Sequence, residues 1–228
     1  KNLKGDFVVD EHYSTPLKMR FLNKFTQLLR VDKEGTISKL KTSYIQKIKD
    51  KIRKQIEHYD AVIISDYNKG LITKELIKEL VKLGKKSKRI ILADPKSKDF
   101  KIYEGVDFLT PNQKELSGAT NNFIDSEKEA VESGKQIIEQ CKIKNVIVTR
   151  SEKGMILINN KKFTNFPTLA KEIYDVSGAG DTVIAVLAIM LASGFDIETS
   201  AFLSNHAAGI VVGKKGTAVT TQEEMIKF

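Results

Sequence analysis

Short continuous apolar runs alternate along this chain with longer stretches in which apolar residues recur every three or four positions. The runs at 61–65, 89–93, 107–110, 145–149 and 155–158 predict buried strands. Between them, Ile45, Ile48, Ile52 and Ile56 predict an amphipathic helix over 39–57, with lysines on its other face. Thr73 predicts the cap of a helix reaching about residue 83, and the stretch 126–141 predicts another, with Ala130, Val131, Ile137 and Ile138 turned inward. Strand and helix alternating at this spacing predict an α/β fold: a doubly wound, mostly parallel sheet flanked by helices.

The beginning of the chain reads differently. Residues 6–9 are β-prone, and runs at 17–22 and 25–31 flank Asn23-Lys24, a predicted turn. Lys18, Arg20 and Arg30 make this hairpin half charged, which suits an exposed edge or a lid over a ligand, and both readings stand. The expected organisation is a β lid or edge segment over 1–35 and an α/β domain over 36–228.

The stretch most informative about chemistry is Asp175-Val176-Ser177-Gly178-Ala179-Gly180-Asp181-Thr182. The residues after it, 182–192, are almost wholly apolar, which predicts a helix buried on all sides. A helix tip carries unpaired N–H groups and a partial positive charge, and it binds anions. Gly178 and Gly180 let backbone approach a phosphate closely, with Ala179 between them. Asp181 repels that phosphate, so its useful task is to accept a proton from an attacking hydroxyl. The combination describes phosphoryl transfer to an alcohol. A tight strand-to-helix turn with a dipole-paired aspartate is the plainer alternative.

Other candidates stand at the carboxyl ends of predicted strands, where open α/β sheets bind ligands. Asp66 and Lys69 follow the strand at 61–65, and Asp94-Pro95-Lys96 ends the next, with Lys96 able to steady a phosphate. Asn112-Gln113-Lys114-Glu115 opens a helix, Asn112 and Glu115 having the spacing of a capping box. In the helix expected over 198–213, Asn205 and Ala208 lie on a small-residue face that suits either close helix packing or a flat base.

Composition narrows the function. A chain of 228 residues with 41% hydrophobic and 29% charged residues is ordinary for a globular protein. The net charge of +9 does not point to nucleic acid, because the basic residues are spread out and all but five of the 38 are lysine, whereas base readout favours arginine. No apolar run is long enough for a bilayer, residues 1–10 lack the apolar core of a signal peptide, and one cysteine, Cys141, suits the cytoplasm. No nucleic-acid or membrane partner is expected.

The run Asp-Val-Ser-Gly-Ala-Gly-Asp-Thr resembles the C-terminal signature of the ribokinase-like (PfkB) carbohydrate kinases. The resemblance implies a ribokinase-like sheet, with Asp181 as catalytic base and Gly178, Ala179 and Gly180 as the anion hole. It implies ATP and Mg²⁺, with Asn112, Gln113, Lys114 and Glu115 at the nucleotide phosphates and Glu115 acting on the metal through water. It further implies Thr149, Ser151 and Gly154 beside the nucleotide, Asn205 and Ala208 walling the adenine pocket, and the lid strand with Arg30 over the sugar; Asp66, Lys69 and Lys96, by their place at strand ends, are the other expected substrate contacts. The lid strands would then cover the sugar and form a homodimer surface.

Further segments, Ile64-Ser65-Asp66-Tyr67-Asn68-Lys69-Gly70, Ala93-Asp94-Pro95-Lys96 and Val148-Thr149-Arg150-Ser151-Glu152-Lys153-Gly154-Met155 among them, resemble the kinase part of bacterial D-glycero-D-manno-heptose 7-phosphate kinases. That branch implies ATP-dependent phosphorylation of the anomeric C1 hydroxyl of D-glycero-β-D-manno-heptose 7-phosphate, on the route to ADP-heptose and lipopolysaccharide core. A kinase for fructose phosphate, ribose or a nucleoside, and a nucleotide-binding module without catalysis, are the alternatives. The family's Gly-Gly-rich N-terminal portion and a fused adenylyltransferase are not found in this sequence, so about 80–100 residues are expected upstream, by the size of related domains.

Overall fold

The computed structural model describes residues 4–10, 15–23, 26–33, 42–170 and 172–227. The predicted Asn23-Lys24 turn, the start of the predicted first helix and the expected boundary at 35–36 involve residues outside these. Strands β1 (Leu17–Asn23) and β2 (Thr26–Lys33) form an antiparallel ribbon of their own, with a register shift between Phe21 and Leu22. Residues 6–9, expected to be extended, form no strand.

Helix α1 (Thr42–Gln55) leads to a six-stranded sheet. Its strands are β3 (Ala61–Ser65), β4 (Ile90–Asp94), β5 (Phe108–Leu109), β6 (Asn145–Thr149), β7 (Met155–Asn159) and β8 (Phe163–Phe166), ordered as in the sequence. The first four are parallel, and β7 pairs antiparallel with both β6 and β8. Helix α2 (Lys74–Ser87) makes the crossover from β3 to β4, a short 3-10 turn (Phe100–Tyr103) that from β4 to β5, and α3 (Gln113–Thr120) with α4 (Glu127–Cys141) that from β5 to β6; α5 (Ala179–Ala192) and α6 (Ile197–Val212) follow the last strand. A short α7 (Gln222–Lys227) ends the described chain.

Strand alternation sorts the core into two layers. Ile91, Ala93, Val146 and Val148 face α2, α3 and α4, where Leu76, Ile77, Leu116, Ile137 and Ile138 bury against them. Leu92, Phe108, Ile147 and Leu157 face the other way, against Val183, Ile184, Leu187 and Ala188 of α5 and Ala201 of α6. The sheet is thus covered on both faces, which is why its strands read as continuous apolar runs.

Helix α5 departs from its expected burial on all sides: Ile189 is 56% exposed. The helix lies over β4 and β3, and β3 is the edge of the sheet, so one face of α5 is left uncovered. Burial depends on what stands beside a helix, which its own composition cannot report.

Candidate active site

The carboxyl ends of β4, β5 and β6 open into a cleft of about 640 Å³, closed on the far side by the start of α5 and by α6. Local hydrogen bonding builds each wall. Beyond β5, Asn112 forms a bridge to Thr149, and the Thr149 amide donates to the Pro111 carbonyl at 3.0 Å. Asn112 then caps α3: its Oδ1 accepts from the Glu115 amide at 2.9 Å, and Glu115 Oε2 accepts from the Asn112 amide at 2.8 Å. The spacing read as a capping box is one.

Gly154 turns the chain back into β7 at φ +79, and a Cβ there would lie 2.1 Å from the Phe166 carbonyl oxygen, so only glycine lets these strands meet. On α6, Asn205 Nδ2 donates to the Pro167 carbonyl at 2.7 Å, holding the 167–168 backbone against the helix.

The tip of α5 is built in the opposite way from that of α3. Gly178 stands before it at φ +84, with no side-chain cap. The Ala179 amide donates back to Val176, and Thr182 is the first residue to close a helical bond, to Gly178 at 2.9 Å. Among the described residues no acceptor meets the amides of Gly180 and Asp181. Gly178, Ala179, Gly180 and Asp181 all line the cleft, and a Cβ on Gly180 would meet nothing within 4 Å.

Facing this tip is a charged cluster. Lys96 Nζ lies 2.5 Å from Glu115 Oε1 and 3.7 Å from Asp94 Oδ2. Burial pushes the Asp94 carboxyl up to about 6, against the pull of Lys96 and with the fields of Glu115 and Asp181 adding to it. Burial alone would lower Lys96, but its hydrogen bond to Glu115 and the fields of Asp94, Glu115 and Asp181 raise it.

Of the residues expected at the site, Asn112, Glu115, Thr149, Ser151, Gly154, Asn205, Ala208 and Lys96 also line the cleft. Five do not. Gln113 turns its amide to the Ile124 carbonyl at 2.6 Å, where it ties α3 to the segment before α4, and Lys114 is exposed on α3. Asp66 is 3% exposed and fully engaged: Tyr103 Oη donates to one oxygen and the Asn68 amide to the other, at 2.7 Å. Its placement is that of a tether rather than a ligand contact. Lys69 lies outside the lining, its neighbour Tyr67 within it. Arg30 is paired with Asp32 on the ribbon at 3.0 Å.

The cleft is also lined by residues assigned no individual role from the sequence, among them Asp94, Thr110, Ile173, Val176 and Gly209. Asp94 carried a signal, its place at a strand's carboxyl end. Ile173 carried none, being a loop residue without periodicity, 52% exposed, and Val176, 63% exposed, carried only its place in the signature run.

An oxygen-bound divalent cation fits this donor set. Asp94 and Glu115 are nearly buried carboxylates that, among the described residues, share the single ammonium of Lys96, and burial raises the Asp94 carboxyl. Among the described residues no three acidic, histidine or cysteine side chains converge as a full metal cage. That suits Mg²⁺, which keeps several waters and takes its other ligands from phosphates.

Residues 1–224 match the pfkB family of carbohydrate kinases. The chain is 39% identical over 220 residues to the bifunctional protein HldE of Paramagnetospirillum magneticum, covering 96% of this chain and 45% of that protein. It is 38% identical to HldE of Aliarcobacter butzleri, covering 98% of this chain and 47% of that one. The chain thus spans about half the length of these curated relatives. Among solved structures it is similar to Escherichia coli phosphofructokinase-2 (TM-score 0.74, 16% identity, 87% of this chain and 65% of that one). It is also similar to Arabidopsis thaliana ribokinase complexed with ribose and ATP (TM-score 0.70, 21% identity, 78% and 58%). No described helix is long and apolar enough to cross a membrane.

Proposed function

Because this chain belongs to the pfkB family of carbohydrate kinases, we propose that it transfers the γ-phosphoryl group of ATP to a hydroxyl of a phosphorylated sugar. The acceptor we favour is the anomeric hydroxyl of D-glycero-β-D-manno-heptose 7-phosphate, which would yield the 1,7-bisphosphate. Likeness to the HldE proteins over nearly the whole chain supports the heptose branch. The observation that carries the reading is the open tip of α5, with two unsatisfied amides and a carboxylate turned into one cleft.

Asp181 takes the proton of the attacking hydroxyl, a contribution of about 10²–10⁴-fold for general bases. The Gly180 and Asp181 amides hold charge growing on the transferred group, each such donor being worth about 10²–10³-fold. Asp94 and Glu115 are the carboxylates that would hold Mg²⁺, Glu115 through water, and the bound ion would neutralise phosphate charge. Thr149, Ser151 and the 154–155 turn border the phosphates and ribose, while Ala208, Gly209, Val212, Ile173 and Val176 form the apolar slot for a base.

The ribbon supports recognition of an anionic sugar. Arg20 and Arg30 stand directly opposite each other, on the face that also carries Lys18 and Asp32. Like charges so placed repel; Asp32, paired with Arg30 at 3.0 Å, offsets part of this, and an anion between the two guanidinium groups would offset the rest. Arg20 is close enough to help hold the Asp175 carboxyl below its ordinary range, an effect led by hydrogen bonds from Ser177. The other face carries Leu17, Met19, Phe21, Leu29 and Val31, all exposed, and is our candidate dimer surface.

The test is ATP turnover by the full-length chain on heptose 7-phosphate, fructose 6-phosphate and ribose. The reading predicts at least tenfold preference in kcat/KM for the heptose. Preference for another sugar would move the protein to another branch of the family, and nucleotide binding without transfer to any sugar would make it a binding module.

A further inference from the structure

Glu115 has one oxygen to offer. Oε2 closes the capping box with the Asn112 amide, and Oε1 is held by Lys96 at 2.5 Å. The same ammonium stands 3.7 Å from Asp94, so one cation serves two carboxylates that are 13% and 15% exposed. Its backbone is fixed while its head can swing. The amides of Lys96 and Ser97 donate to Tyr103 Oη, at 3.3 and 3.4 Å, and that hydroxyl donates to buried Asp66. Beyond this anchor Lys96 has a flexible four-carbon stem, and its side chain is 37% exposed.

We propose that Lys96 is an exchangeable counter-ion, which neutralises Asp94 and Glu115 in the nucleotide-free protein and gives them up when a divalent cation arrives with nucleotide. The inference rests on the kinase reading above. An ammonium and a metal ion, or the metal's water, cannot share Glu115 Oε1. A divalent cation arriving alone must expel Lys96 from its partners and offers it nothing in return. A cation arriving with a polyphosphate brings a new partner for the freed ammonium. Metal and nucleotide therefore bind with positive coupling, and by linkage each strengthens the other by the same factor. Lys96 is thus a positioning residue that keeps bare metal out of the cleft.

Mn²⁺ binding to the full-length chain tests this, followed by its paramagnetic signal with and without a non-hydrolysable ATP analogue. Wild type is expected to bind Mn²⁺ at least tenfold more tightly with the analogue than without it. In Lys96→Met, affinity for Mn²⁺ alone rises at least tenfold, affinity for the metal–analogue complex falls, and the coupling shrinks toward one. Lys96→Arg keeps the exclusion of bare metal. Thermal melting of each variant certifies its fold, and Lys96→Gln replaces the methionine variant if that one melts early. Unchanged affinity of a folded Lys96→Met or Lys96→Gln chain for Mn²⁺ alone overturns the exchange. Failure of wild type to bind the analogue at all overturns the kinase reading instead, so the two failures are distinct.

Discussion

Helices α3 and α5 point their N-termini into the same cleft and finish them in opposite ways. At the start of α3 the amides of Asn112 and Glu115 are satisfied by side chains within the chain, while those of Gln113 and Lys114 have no acceptor among the described residues. Gly178 offers α5 no side chain, and the amides of Gly180 and Asp181 have no acceptor among the described residues. Helix α4, whose start lies outside the cleft lining, carries a capping box like that of α3, from Ser126 and Glu129. Under the proposed function, the start of α5, which has no side-chain cap and lies beside a carboxylate, offers its donors to a ligand. If the proposed function holds, substitutions at the side-chain-capped tip of α3 and at the tip of α5 should have opposite signatures.

The largest effect is expected at the open tip. Asp181→Asn should lower turnover at least about 10²-fold, with Mg·ATP affinity by calorimetry and melting temperature unchanged. Normal turnover would remove Asp181 from the mechanism. Gly180→Ala comes next. The added methyl meets no protein atom within 4 Å, and alanine is the better helix former by about 1 kcal/mol. Stability should hold or rise while turnover falls about tenfold, because the methyl group occupies space meant for phosphate. Equal activity would mean that nothing approaches the tip closely.

At the capped tip the order reverses. Asn112→Ala should cost about 1 kcal/mol in chemical denaturation, the usual worth of an N-cap, and should change turnover less than Gly180→Ala does. The smallest effect concerns pH. With its carboxyl raised from 3.8 to about 6, Asp94 holds its proton more tightly folded than unfolded. Stability is therefore lost as pH rises from about 4 to 6 and is level above that. Asp94→Asn, which mimics the protonated form, should melt higher than wild type at pH 8 in the absence of nucleotide. The gap should close as pH falls toward 4, and a gap independent of pH would contradict the assignment.

The strands and caps were legible because their causes are local. Thr73, Ser126 and the Asn112–Glu115 pair announce helix starts within four residues, and all three begin helices there. β8 was missed because Phe163-Thr164-Asn165-Phe166 is half polar and lies at the sheet edge, with Phe163 47% exposed. The fixed state of Asp66 was illegible because its partner, Tyr103, lies 37 residues away in sequence. A strand-end aspartate looks the same whether it meets a ligand or a buried tyrosine. Likewise, eight residues in order made the α5 tip recognisable, but only the surrounding loops could show that its amides stay unpaired.

The most direct measurement is the amide spectrum of the full-length protein, with ¹⁵N label, on adding Mg²⁺, ADP and fluoroaluminate with the sugar phosphate, a mimic of the group in transfer. The open-tip account predicts large downfield shifts and new exchange protection for the Gly180 and Asp181 amides, with the capped amide of Glu115 little changed. Undisturbed Gly180 and Asp181 signals beside a bound mimic would contradict it.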